Sequence, residues 1–304
     1  MTRSLFTALL LIACLPVNAQ SQPSAHQRAV LVTGASTGIG RKITERLAAH
    51  GYVVYAGARK EADLMALNAM PGVQAVRLDV TKTDEIDAAV KIITQGGRGL
   101  YGLVNNAGVV SAAPLVEMSP EEFDLTMRVN VYGPYRITRA FAPLLIASKG
   151  RIVNIGSIRG ILSDPDLGAY QMSKHAVESF TDVLGQELAP VGVKVSLVDP
   201  GSYHSDIEKN AARRAGRSLE GTSRAMYKEP DDVAAAVEAA LFTPLPRRRY
   251  MVVPNQEQAA LTINALLDQL VQLNEGQSYA YSRSKLITQL DDALARERAQ
   301  RSRH

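Results

Sequence analysis

From residue 28 to residue 254, short apolar runs alternate with longer segments of helical periodicity, and this alternation limits the possible folds more than any other feature. Strands are expected at 29–33, 53–56, 73–78, 103–105, 151–155, 193–198 and 250–253. Helices are expected at 39–50, 83–94 and 169–188, with a short one between the second and third strands and another opening at Pro230-Asp231-Asp232. Ser119-Pro120-Glu121-Glu122 reads as a capping box with proline at the first helical position, opening one long helix. Strands separated by helices of this length form βαβ units, so the expected fold class is α/β: a doubly wound parallel sheet of about seven strands. Such sheets bind ligands outside the carboxyl ends of their strands.

The chain divides into four expected parts. Residues 1–19 resemble a secretory signal peptide: Arg3 gives a positive start, an apolar run follows, and Val17-Asn18-Ala19 offers a small-residue site with cleavage after Ala19. The run is too short for a comfortable membrane span. Leu11-Ile12-Ala13-Cys14 also resembles a lipoprotein box, which would acylate Cys14. Residues 20–27 are expected to form a linker, 28–254 the α/β domain, and 255–304 a helical extension with amphipathic helices at 257–273 and 284–299. If the signal is real the protein is exported, periplasmic or secreted; if the start is misassigned it is cytoplasmic. Cys14 is the single cysteine, so the folded part has neither disulfide nor thiolate chemistry.

Apolar content of 46% and charged content of 21% are typical of a soluble globular protein. The formal charge of +4 is scattered, and the 247–249 arginine run and Arg-rich tail read as solvated surface, so no nucleic-acid partner is expected. The five histidines show no metal-ligand spacing, and no metal site is expected.

Thr33-Gly34-Ala35-Ser36-Thr37-Gly38-Ile39-Gly40 joins the first strand to the first helix. Glycines permit a tight turn and a close backbone approach, and a helix N-terminus offers uncapped amides and a favourable dipole to a pyrophosphate. This turn is therefore expected to hold a dinucleotide. The second strand ends without the carboxylate usual for NAD and instead carries Arg59 and Lys60, which favours NADP, with NAD possible. Both cations read alternatively as surface residues opening a helix. Asp79 is either an acceptor for the adenine amino group or a turn residue before Thr81. Tyr170 and Lys174 lie four residues apart in a helical segment, a spacing that by itself describes any two side chains on one helix face.

The order of these motifs resolves that pair. TGASTGIG at 33–40, LDV at 78–80, NNAG at 105–108, VN at 129–130, Ser157, YQMSK at 170–174 and PG at 200–201 together resemble a single-domain short-chain dehydrogenase/reductase over roughly 29–253, with a steroid, retinol or hydroxybutyrate dehydrogenase flavour. The resemblance implies a Rossmann-type fold and an alcohol dehydrogenase or carbonyl reductase. Tyr170 would be the general acid/base and Lys174 its partner. Ser157 would hold the substrate oxygen, and Asn130 a water in a proton relay. Gly34, Ser36, Thr37, Gly38, Ile39, Gly40, Arg59, Asp79, Val80, Asn105, Ala107, Gly108, Pro200 and Gly201 would contact the cofactor, as would Tyr170 and Lys174. Asn106 would brace the central strand. Free tyrosine is a poor base near neutrality, and a neighbouring ammonium with the oxidised nicotinamide would lower its pKa.

Relatives commonly carry threonine a few residues past the Pro-Gly, where this chain reads Ser202-Tyr203-His204-Ser205, and Ser205 is the candidate substitute. Val109, Val110, Ile158, Arg159 and Ile161 are expected to shape the substrate pocket under a lid at 202–227. Arg213, Arg214 and Arg217 would either meet an anionic group or form a solvated helix face. The expected partners are a small apolar alcohol or carbonyl substrate and further copies of the chain, as a homodimer or homotetramer.

Overall fold

The computed structural model describes residues 28–214, Gly216 and 227–302. The expected signal peptide and linker, and residues 215 and 217–226 of the expected lid, lie outside these residues. The sheet grows outward from β1 (Ala29–Val32), which pairs in parallel with β2 (Val53–Ala58) on one side and β4 (Gly102–Asn105) on the other. β3 (Val73–Arg77) lies beyond β2. β5 (Arg151–Ile155), β6 (Lys194–Pro200) and β7 (Arg249–Val252) lie beyond β4, giving the order β3-β2-β1-β4-β5-β6-β7. Growth of the sheet reverses between β1 and β4, which creates a crevice at their carboxyl ends.

Burial explains the strand sequences. β1 and β4 bury every residue, as continuous apolar strands covered on both faces should. Alternate residues face opposite sides. Val30 and Val32 pack with Ile43 and Leu47 of α1 (Gly38–Ala49) and with Val237 and Leu241 of α8 (Asp231–Phe242). Ala29 and Leu31 pack with Ile86 and Ile93 of α3 (Thr83–Gln95) and with Ile137 and Phe141 of α5 (Tyr132–Ala147). Each fully buried leucine, isoleucine or phenylalanine is worth about 1.5–3 kcal/mol. The edge strand β3 is partly exposed and is crossed by α2 (Glu61–Asn68).

The helix expected from residue 119 onward is two helices. α4 (Pro120–Asn130) stops before Val131, and α5 begins at Tyr132. Pro134 has no amide to give the Asn130 carbonyl, so the hydrogen-bond ladder cannot run through. Gly133 permits a close approach to Val80, because a Cβ there would lie 2.8 Å from its Cγ2. The capping box is half made. Ser119 Oγ accepts from the Glu122 amide at 3.3 Å, but the Glu122 carboxylate instead accepts from Ser111 Oγ at 2.6 Å.

α6 (Gly168–Leu188) lies against β6 and α4, and α7 (Ile207–Arg214) follows the end of β6. The last elements are α9 (Gln256–Asn274) and α10 (Arg283–Ser302). Asn255 caps α9 by accepting from the Gln258 amide at 3.0 Å. Beyond that turn α9 buries only Thr262 and leaves Leu261, Leu270 and Leu273 exposed. No described helix is long and apolar enough to cross a membrane.

Candidate active site

The first βα turn is held from three sides. Thr33 accepts, through its hydroxyl, from the amides of Asn106 and Ala107, both at 3.0 Å, which joins the end of β1 to the end of β4. The Asn106 carboxamide donates to the carbonyls of Thr33 at 2.9 Å and Gly34 at 3.0 Å. The Ala35 amide donates to the Gly57 carbonyl at 2.9 Å. Gly34 and Gly38 have φ of 65° and 55°, a region that penalises any side chain. A Cβ on Gly40 would collide with the Asn106 side chain and the Gly34 carbonyl. Thr37 makes no side-chain cap on α1, so the first-turn amides keep their capacity for an anion. These residues fit a dinucleotide pyrophosphate.

Gly34, Ser36, Thr37, Gly38, Ile39 and Gly40 line a cavity of about 650 Å³ at the carboxyl end of the sheet, together with Val80, Ala107 and Gly108. Asn105 is a correction to the expected set. Its side chain turns into the sheet, where Nδ2 donates to Thr138 Oγ1 at 3.0 Å and Asn154 Oδ1 at 2.8 Å, and it does not line the cavity. Strand alternation is the reason: Asn105 is the last residue of β4 and its side chain points into the covered face, toward α5. Its neighbour Asn106 lines the cavity and also braces the end of β1 and the glycine turn through its carboxamide.

At the end of β2, Arg59 lines the cavity and its side chain is 63% exposed. Its guanidinium lies 3.9 Å from Asp79 Oδ2. Lys60 precedes α2 outside the cavity. Asp79 adopts the turn geometry: Oδ1 accepts from the Thr81 amide at 2.9 Å and the Thr81 hydroxyl at 2.7 Å, while the residue still lines the cavity.

The opposite end of the same cavity holds Ser157, Tyr170 and Lys174. Ser157 lies two residues past β5, and Tyr170 and Lys174 occupy successive turns of α6. The Tyr170 hydroxyl shares a hydrogen bond with Ser157. Burial pushes the Tyr170 pKa above its ordinary value, against the Ser157 hydrogen bond and the Arg159 charge, which pull it down. Lys174 Nζ donates to the Ile155 carbonyl at 2.8 Å and lies 5.7 Å from the Tyr170 ring centre. Burial lowers the Lys174 pKa to about 8, with the Asp199 charge acting in the opposite direction.

Asn130 is committed to bracing. Nδ2 donates to the Val109 carbonyl at 2.8 Å and Ser173 Oγ at 2.9 Å, and Oδ1 accepts from the Val109 amide at 2.9 Å. Its side chain thus ties the cavity wall to α6. Its carbonyl, which lacks the usual helical donor because residue 134 is proline, is the atom available for a water.

Pro200, Gly201, Ser202 and Ser205 also line the cavity, and Ser205 packs on the glycine turn, where a Gly38 Cβ would lie 2.9 Å from its own Cβ. Val109, Val110, Ile158 and Arg159, the residues expected to shape a substrate pocket, line the same cavity. Ile161 is not among them: it sits half-buried past the 3₁₀ turn Ile158–Gly160 and does not line the cavity. Asp164 pairs with Arg159. Arg214 is a strap, its Nη2 donating to the Val110 carbonyl at 2.6 Å and its Nε lying 3.6 Å from Glu122 Oε1. Arg213 is exposed, and Arg217 lies outside the described residues.

Two contributions were not expected. Gln258 of α9 accepts from the Ser202 amide at 2.9 Å, so the helical extension reaches the cavity rim. Asp199 sits directly behind Ser157, whose amide donates to Oδ1 at 3.0 Å. Asp199 directly precedes the Pro-Gly pair, a position that could have prompted attention to a carboxyl in this site. Gln258 had no sequence signal, because contact across 56 residues is set by tertiary packing.

The family model described as short chain dehydrogenase matches residues 28–216. The mitochondrial D-beta-hydroxybutyrate dehydrogenase of Rattus norvegicus is 35% identical over 190 residues, covering 59% of this chain and 55% of that protein. The chain thus spans little more than half the length of that relative. An uncharacterized oxidoreductase of Escherichia coli strain K12, YbbO, is 33% identical over 231 residues, covering 74% of this chain and 86% of its own. Among solved structures, a short chain dehydrogenase from Burkholderia cenocepacia in complex with NADP superimposes with a TM-score of 0.65 at 27% identity, covering 81% of this chain and 95% of that one. With its parallel sheet, its glycine turn and the matched residues 28–216, this chain belongs to the short-chain dehydrogenase family.

Proposed function

We propose that the protein is an NADP-preferring oxidoreductase that interconverts a secondary alcohol and a carbonyl on a small, largely apolar molecule. One observation carries this reading: the glycine turn and the Ser157–Tyr170–Lys174 group line one continuous cavity. When bound, the nicotinamide supplies or accepts the hydride at the substrate carbon. The chain handles the proton and the geometry. In reduction the Tyr170 phenol gives its proton to the substrate oxygen as that oxygen gains negative charge; in oxidation Tyr170 Oη takes the hydroxyl proton. The raised Tyr170 pKa keeps the phenol protonated near neutral pH, which suits it to the reducing direction. Ser157 orients the same oxygen without competing as a charge. We assign Lys174 donation to the nicotinamide ribose as well as electrostatic support of Tyr170.

The NADP preference rests on Arg59, which lines the cavity at the end of β2 where a carboxylate is absent. The neighbouring NADP complex of a family member supports it. We also propose a homodimer or homotetramer built on α5 and α6, whose outer surfaces carry Tyr132, Tyr135, Met172 and Val183 at about half exposure. Light scattering after size exclusion gives the mass, and a monomer would refute the assembly.

The deciding experiment titrates the chain from Gln20 onward with NADPH and NADH by nicotinamide fluorescence. Charge-assisted bonds to the 2′-phosphate are worth about 1.5–3 kcal/mol, so NADPH should bind roughly ten- to a hundredfold more tightly. NADH preference would overturn the Arg59 assignment and keep the enzyme. A Tyr170→Phe variant should bind NADPH normally and fail to turn over any carbonyl the wild type reduces. Binding of neither cofactor would favour a role without turnover.

A further inference from the structure

Behind the proposed catalytic residues lies a row of ionisable groups that the reaction above does not use. On α6, Tyr170, Lys174, Glu178 and Asp182 follow one another at four-residue spacing, so they stack along one side of the helix. Asp199, the residue before Pro200 on β6, faces this row and is 3% exposed. Its Oδ1 accepts from the Ser157 amide at 3.0 Å. Glu178 has one outward and one inward oxygen. Oε2 takes Arg249 of β7 at 3.0 Å, whereas Oε1 is buried and meets no donor among the described residues. The Asp199 carboxyl lies within hydrogen-bonding reach of the Glu178 side chain.

Two buried carboxylates cannot face one another with no proton between them at tolerable cost. Two glycines make room for this approach: a Cβ on Gly156 would collide with Asp199 Oδ1, and one on Gly160 would lie 3.1 Å from Glu178 Oε1. We propose that Asp199 and Glu178 share a single proton and act as a positioning pair, holding Ser157 through its amide and setting the negative charge behind Lys174. This rests on the dehydrogenase reading above and deepens it.

The surrounding charges agree with this division of labour. Arg249 also holds Asp182 at 2.6 Å, and Arg248 reaches Asp182 at 3.2 Å, so the outer end of the row is neutralised at the surface. The Arg159 charge is felt at Tyr170. Burial raises Glu178 above the ordinary carboxylate range, against the Arg249 charge and the hydrogen bonds from Arg249 and Asp199, which pull it down. Burial and then the Glu178 charge raise Asp199 to about 8. The pair therefore carries one negative charge near neutrality and two once the shared proton leaves. The second charge appears in the same pH range in which burial would discharge Lys174, and it favours retention of the ammonium.

The test uses the full chain without substrate or cofactor, as wild type, Asp199→Asn and Glu178→Gln. Infrared difference spectra with carbon-13-labelled carboxyls should show one protonated-carboxyl stretch in the wild type at neutral pH, lost on alkaline titration and absent from both variants. Nitrogen-15 lysine spectra should show the Lys174 titration moving to lower pH in Asp199→Asn by about one pH unit or more. Glu178→Gln, which leaves Asp199 charged, should not move it in that direction. No protonated carboxyl in the wild type, or the same Lys174 midpoint in all three proteins, overturns the proposal. Should Asp199→Asn not fold, the wild-type and Glu178→Gln spectra decide alone. Because neither readout needs turnover, failure here leaves the Tyr170→Phe result intact, and failure of the dehydrogenase reading leaves these spectra intact.

Discussion

Asn106 Nδ2 holds the Gly34 carbonyl at 3.0 Å across a separation of 72 residues, and the same carboxamide holds Thr33 at 2.9 Å. The shape of the glycine turn is thus set by the end of β4 as well as by its own glycines. Asn106→Ala removes both donors at once. NADPH affinity should fall roughly tenfold or more, the equivalent of one net hydrogen bond or slightly over. Fluorescence titration measures this, and unchanged affinity would mean that the glycines alone shape the turn.

Arg59→Ala should lower NADPH affinity by roughly ten- to a hundredfold and leave NADH affinity almost unchanged. Asp79, 3.9 Å from Arg59, loses its cationic neighbour in this variant, which adds repulsion toward a 2′-phosphate. Parallel titrations with both cofactors read the ratio. A ratio equal to that of the wild type would show that Arg59 does not meet the phosphate.

Gly156→Ala tests the room made for Asp199. The added methyl collides with the Asp199 carboxyl, and overpacking in a closed site costs about 1–3 kcal/mol. Because Ser157 is the next residue and its amide is held by that carboxyl, turnover should drop along with stability. Denaturant melts and rate measurements report the two losses, and a variant as active and stable as wild type would contradict the packing.

Lys174 gives stability a pH dependence whose sign follows from its lowered pKa. Its folded-state value is about 8, against an ordinary lysine value of 10.5. Between those values the unfolded chain binds the proton that the folded chain has released, so this contribution to stability rises with pH, by about 1.4 kcal/mol per unit. It is complete above the unfolded value and is lost as pH falls through about 8. Lys174→Met should lack it. Denaturant unfolding at intervals from pH 7 to 10, taken as wild type minus variant, should slope upward, and a flat difference would show that Lys174 titrates normally.

The strands and most helices were legible because burial on both faces imposes continuous apolar runs, as in β1 and β4. About seven strands are expected and seven are present among the described residues, with β5 at its expected limits. What the sequence obscured was direction and interruption. The break at Val131 depends on Pro134 withholding an amide from Asn130, a signal that was present in the chain but hidden by helical periodicity on both sides. Asn105 and Asn106 are adjacent and chemically identical, so only strand alternation decides which one faces the cavity. Glu178 continues the spacing of Tyr170 and Lys174 by one more turn, yet a glutamate on a long helix reads as solvated until β6 is known to bring Asp199 against it.

The bond from the Ser202 amide to Gln258 changes the standing of the last fifty or so residues. Gln258 sits in the first turn of α9, whose cap is Asn255, and a Cβ on Gly201 would collide with its Oε1. The extension therefore reaches the rim of the cavity through the Gln258 side chain, which fills the space beside Gly201 and accepts from the Ser202 amide, so residues far along the chain help to shape the site.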